Sequence, residues 1–225
     1  MLARIKRALK RDDRPSSLDV KADFAQQSGK RDGQELAKQF ELELTRVGGH
    51  FHIARTADAV CAYVEKLVSI KQTKTVIGWN VLVIEEIGLS KRLSSAGVQF
   101  ISNDEHHSET DFINKAIKAG IGITAVDYAM ADTGTLVLIA GAGRARSISL
   151  LPPVHVAILK PKQIIAGLDE LIPQLNNGAG RDLASAVTFI TGPSRTADIE
   201  LTLVVGVHGP QELHVILLSQ DSEVE

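Results

Sequence analysis

HFHIARTADAVCAYVEKLVSIKQTKTVIGW, residues 50–79, reads as one strand–helix–strand unit. Residues 50–54 and 75–79 are short apolar runs holding Phe51, Ile53, Val76 and Ile77, side chains that pack well on a pleated surface. Between them, Val60, Val64, Leu67 and Val68 recur at helical spacing over residues 57–70, and Thr56 stands where a capping hydroxyl is wanted. The rhythm continues on both sides. Residues 34–47 read as a helix with Leu36, Phe40, Val47 and the pair Leu42/Leu44 as its apolar positions, closed by Gly48-Gly49. Residues 81–96 read as a helix that Gly88 weakens, 98–101 as a strand, and 110–119 as a helix ended by Gly120. This alternation predicts a three-layer α/β fold with a largely parallel sheet. The second half differs in texture. Short apolar runs at 135–140, 154–159, 187–190, 201–205 and 213–218 predict later strands of mixed direction, with one helix at 162–175 between them.

Composition fits that reading and excludes others. Of 225 residues, 44% are apolar, 4% aromatic and 23% charged, with 18 glycines and a formal net charge of −2. Aliphatic richness suits strands buried on both faces. The near-neutral balance excludes a nucleic-acid binder driven by bulk charge. No uninterrupted apolar run reaches the roughly 18 residues of a membrane span. The one cysteine, Cys61, permits no intramolecular disulfide, cysteine-ligated iron–sulfur cluster or Cys-rich zinc site held by this chain alone. Residues 1–33 begin with Leu2, Ile5 and Leu9 among basic residues and continue as a polar stretch. They predict a basic helix and arm, leaving 34–225 as a single α/β domain. No apolar stretch follows the basic start, so a cytoplasmic protein is expected.

Four loops could hold chemistry. In ADTGT, residues 131–135, Gly134 permits a tight turn whose N–H groups, with the hydroxyls of Thr133 and Thr135, suit a phosphate or carboxylate. Asp132 is a candidate acid/base there, and the alternative is a strand-entry turn. In GAGRARSISLLPP, residues 141–153, Arg144 and Arg146 are candidate anion clamps unless the loop is simply solvated. His155, just inside the next strand, is a ligand contact or a hydrogen-bonded structural residue. TGPSRTADIE, residues 191–200, is the richest. Gly192-Pro193 forces a turn, Ser194 and Thr196 offer hydroxyls, and Arg195 offers a cationic fork. Asp198 and Glu200 are candidate catalytic carboxylates that face one side if the stretch is extended; the alternative is a turn with a structural ion pair. In GVHGP, residues 206–210, His208 before Gly209 is a candidate acid/base at a strand end. His106-His107 is a poor metal site, because adjacent histidines rarely both reach one ion. Cys61 and Trp79 read as core. No serine-hydrolase elbow, Walker loop, metalloprotease helix or kinase signature is present.

ADTGTLVL (131–138), RSISLLPPVHVAIL (146–159), GPSRTADIE (192–200) and GVHGP (206–210), in that order and spacing, resemble the lactate-utilisation (LUD) domain family over roughly residues 120–218. The resemblance implies a sheet of the ribose-5-phosphate isomerase, glucosamine-6-phosphate deaminase and CoA-transferase type. It implies a role in oxidising L-lactate to pyruvate within a three-part cytoplasmic system, with no cofactor on this chain and iron–sulfur clusters on partner proteins. The residues it marks are Thr133, Gly134, Thr135, Arg146, Pro152 and His155, then Gly192, Pro193, Ser194, Arg195 and Thr196, then Asp198, Glu200, His208 and Gly209. Two other functions remain open on the residues alone. One is a stand-alone isomerase, ligase or transferase acting on a phosphorylated or acyl substrate. The other is a non-catalytic sensor or assembly protein.

Overall fold

The computed structural model describes residues 32–79, 81–102, 109–177, 186–197, 203–205 and 209–219. Every described residue lies in one compact unit, Arg31–Glu225. Residues 1–31 of the expected arm, the pair His106-His107, and the candidates Asp198, Glu200 and His208 fall outside the described residues.

The main sheet has six strands in the order β1 (His50–Ala54), β12 (Glu212–Leu218), β7 (Val154–Leu159), β4 (Ile121–Ala125), β2 (Thr75–Gly78) and β3 (Gln99–Ser102). Every neighbouring pair is parallel. β4 and β7 are buried at every position, so both faces of the sheet are covered. Register carries Phe51, Val215, Ala157 and Thr124 along one face. There α1 (Gly33–Arg46) packs Phe40 edge-on against Phe51, with centroids 6.0 Å apart. On the same face α6 (Ser147–Leu150) lies so close that a Cβ on Gly122 would sit 2.0 Å from the Ile148 carbonyl oxygen. The opposite face carries α2 (Ala57–Lys71), whose Tyr63 stacks on His52 at 4.3 Å and hydrogen-bonds His214 Nδ1 at 2.9 Å. Helix–sheet–helix layering is the α/β architecture expected.

Local chemistry places the helix ends. The Asp32 side chain accepts from Gln34 N–H at 3.2 Å to start α1, and Thr56 Oγ1 accepts from Ala59 N–H at 3.1 Å to start α2. Gly88 does more than weaken the helix expected at 81–96. At φ +72° it divides the segment into α3 (Leu82–Glu86) and α4 (Leu89–Ser95). α5 (Glu109–Lys118) then leads into β4.

Three expectations are corrected. β4 and β5 (Tyr128–Met130) occupy a stretch in which no strand is predicted. The helix expected at 162–175 is a 3₁₀ turn (Pro161–Gln163), a two-residue strand β8 (Ile164–Ile165) and α7 (Leu168–Asn177). Pairing of Ile164 and Ile165 with Ala129 and Met130 overrides the local helical pattern. The strands of mixed direction do not extend the main sheet. β8, β5, β6 (Thr135–Ile139) and β9 (Val187–Ile190) form a separate four-stranded sheet, and β10 (Arg195–Ala197) pairs with β11 (Leu203–Val205). Among the described residues, no helix is long and apolar enough to cross a membrane.

Candidate functional site

The amino ends of β1, β7 and β12 lie side by side, and the segments entering them enclose a cleft of about 580 Å³. Arg46 and Val47 reach it from the end of α1, Ser149 and Leu150 from α6, and Gly209-Pro210 from the entry to β12. The remaining wall is the end of β9 and the loop Thr191–Arg195.

Close backbone contacts hold these pieces together. A Cβ on Gly192 (φ +82°) would lie 2.7 Å from the Val47 carbonyl oxygen, which seats the loop on the end of α1. A Cβ on Gly48 (φ +88°) would lie 2.3 Å from Arg195 Nη2, so the guanidinium rests against bare backbone. Ser194 N–H donates to the Pro210 carbonyl at 2.8 Å, and the Ser194 side chain packs on Gly209. Thr135 and Thr191 share a hydroxyl–hydroxyl hydrogen bond of 2.8 Å, joining the start of β6 to the same loop. The cleft is thus lined by two arginines and by Thr188, Thr191 and Ser194, with Ser149 buried in its wall, its hydroxyl donating to the Arg146 carbonyl. Arg46 already pairs with Glu43 at 2.6 Å. Among the described residues, no carboxylate pairs with Arg195.

The sequence candidates separate into two groups. Gly192, Ser194, Arg195 and Gly209 line the cleft, and Thr135 ties into it through Thr191. The backbone of Thr196 lies in β10, beside Arg195. Asp132, Thr133 and Gly134 form the hairpin turn between β5 and β6 and do not line the cleft. The N–H groups of Ala131 and Asp132 are spent on the carbonyls of Ile165 and Ala166. Asp132 accepts from the Thr133 hydroxyl at 3.1 Å and lies against Gly167. Gly134 (φ +63°) lets the turn approach α1, where a Cβ would lie 2.3 Å from Leu44 N. Arg146 is exposed and caps nothing with its side chain, yet its carbonyl accepts from Ser149 N–H and Oγ at 3.1 Å, shaping the α6 turn.

His155 is fully buried in β7, with Nε2 2.9 Å from Thr124 Oγ1. Burial, then the positive charge of His214, pushes its pKa down to about 3, so the ring stays neutral. Its position is that of a core residue. Cys61 is also buried, 3.5 Å from the Ile87 carbonyl, and burial raises its thiol pKa. Arg46 and Ser149 are cleft residues that the motifs did not mark. The basic residue ahead of Gly48-Gly49 was the one available signal for Arg46.

The LUD domain family matches residues 37–218. Lactate utilization protein C of Halalkalibacterium halodurans is 37% identical over 179 residues, which cover 78% of this chain and 76% of that one. The protein of the same name in Bacillus subtilis is 38% identical over 141 residues, covering 60% and 58%. The uncharacterized protein YkgG of Escherichia coli is 36% identical over 140 residues, covering 61% and 59%. A solved DUF162 family protein of Deinococcus radiodurans has the same fold, with a TM-score of 0.58 over 84% of this chain and 99% of that one at 19% identity. The family match runs from α1 to the last residue of β12 and takes in the whole main sheet and the entire lining of the cleft. The chain therefore belongs to the LUD domain family.

Proposed function

We propose that this protein is a component of a lactate-utilisation system and that its amino-edge cleft binds a small carboxylate. The observation that carries the reading is 37% identity over 78% of the chain with a protein named for lactate utilisation. The cleft chemistry supports the ligand class. A guanidinium fork meets a carboxylate through two parallel N–H···O bonds, and neighbouring hydroxyls suit the 2-hydroxyl or 2-keto oxygen of lactate or pyruvate. Arg195 is the anchor and Arg46 the supporting cation. The chain's one cysteine is buried against a carbonyl, so the iron–sulfur clusters of such a system belong to partner proteins that accept the electrons.

Deletion of the gene in a host stripped of other lactate oxidases is expected to abolish growth on L-lactate. Wild-type complementation should restore growth, and Arg195→Ala should restore it poorly while accumulating to the wild-type level. Normal growth of the deletion strain, or full rescue by Arg195→Ala, contradicts this function and site.

A further inference from the structure

A second cleft, of about 810 Å³, opens at the opposite edge of the sheet. β2 leads outward to β3, whereas β4 leads through the small sheet to β7 on the other side. Connections that diverge from adjacent strands leave a crevice at their carboxyl ends, the usual ligand position in open parallel sheets. Here Ala125 and Ile158 form the floor.

The side chains around this crevice are held in place before any ligand arrives. In the glycine-rich turn, Arg144 N–H bonds the Gly141 carbonyl at 3.0 Å and Gly143 sits at φ +69°. The turn aims Arg144 at Asp127 Oδ1, 2.7 Å away, with its guanidinium 5.3 Å from the centre of the Trp79 ring. The other Asp127 oxygen accepts from Ile139 N–H at 2.7 Å, and Trp79 Nε1–H donates to the Ala145 carbonyl at 3.1 Å. Lys160 and Lys162, at the exit of β7, add two cations to the lining, and among the described residues no carboxylate pairs with either. Glu86 stands with Val81, Leu82 and Val83 on another part of the wall. Leu82 is 73% exposed, a large apolar surface at the lip of a charged crevice.

We propose that this crevice binds an organic phosphate of mononucleotide size. Lys160, Lys162 and the free edge of Arg144 hold the phosphate as point charges and a fork. Val81–Val83 and Ile139 cover the apolar body, and Glu86 accepts from a sugar hydroxyl. The volume lies within the range of small-molecule sites, about 300–1,000 Å³. The site is separate from the amino-edge cleft and stands whether or not a carboxylate binds there.

The chain has one tryptophan, Trp79, buried behind the crevice with Arg144 over its ring, so intrinsic fluorescence reports on the crevice through Arg144. Titration of the full chain with ADP is expected to give a saturable fluorescence change. Ribose 5-phosphate and inorganic phosphate should need at least ten times the concentration. The double variant Lys160→Ala/Lys162→Ala should weaken ADP at least tenfold with an unchanged circular dichroism spectrum, whereas Arg195→Ala should bind ADP as wild type does. No change with ADP at millimolar concentration, equal half-saturation by ADP and inorganic phosphate, or equal ADP binding by the double variant would overturn the proposal.

Discussion

Gly122→Ala is expected to destabilise the protein by about 3 kcal/mol, the upper part of the usual overpacking range. Gly122 lies in the centre of the sheet, opposite His155 on β7. A Cβ there would meet the Ile148 carbonyl oxygen at 2.0 Å and Pro152 Cγ at 3.0 Å. The nearer atom is backbone, so no rotamer change relieves the clash and α6 must move. Replacing glycine by alanine also stiffens the unfolded chain, a stabilising effect of at most about 1 kcal/mol, which the clash exceeds. In a domain of this size the balance corresponds to a melting-temperature loss of roughly 6–12 °C, read by thermal denaturation. Displacing α6 would also move Ser149 and Leu150 in the amino-edge cleft. An unchanged or raised melting temperature would mean that α6 is not seated on Gly122.

His155 is expected to make the fold sensitive to acid. Its pKa in the folded protein is about 3, against 6.5 for a free imidazole. Between those values the unfolded chain takes up a proton that the folded chain refuses, so stability rises with pH across the window. The contribution is complete above about pH 6.5 and is lost progressively as pH falls toward 3, to a total of about 5 kcal/mol at 1.36 kcal/mol per unit. Burial also lowers the pKa values of His52 and His214, which act in the same direction. A His155→Gln variant isolates the His155 share, since its amide can still bond the Thr124 hydroxyl but does not titrate. Urea denaturation at pH 7 and pH 5 should show the wild type losing about 2 kcal/mol more than the variant. Parallel losses would remove His155 as the source.

What the sequence made legible follows from where local pattern and tertiary context agree. β1, α2 and β2 are readable to within a residue because Val60, Val64, Leu67 and Val68 face the sheet at helical spacing. β4 was not readable. It is buried on both faces and so has no alternation, and Gly122 weakens it as a strand signal although that glycine is what admits α6. Missing β4 also hid the crevice beside it, because that crevice exists only once the strand order is known. At the amino edge, Gly192, Ser194, Arg195 and Gly209 announce themselves through turn chemistry and polar density. Arg46, marked only as a basic residue ahead of Gly48-Gly49, and Ser149, an undistinguished serine inside the 146–159 stretch, are brought to the cleft by packing. Asp132 and Thr133 show the opposite case. Their residue types suited an anion nest, but the amides of Ala131 and Asp132 are consumed by β8 and the loop that follows it.

On this reading Arg195, held between the Thr191–Arg195 loop and Gly48, anchors a small carboxylate in the amino-edge cleft. Titrating L-lactate and pyruvate into the wild-type protein and into Arg195→Ala, by calorimetry, tests it directly. The expected result is saturable wild-type binding of at least one of the two. In Arg195→Ala it should weaken by roughly 10- to 100-fold, the loss of one charge-assisted contact worth about 1.5–3 kcal/mol. Arg195→Lys should recover only part of that. Absence of wild-type binding to either acid, or equal affinity in Arg195→Ala, would contradict the assignment.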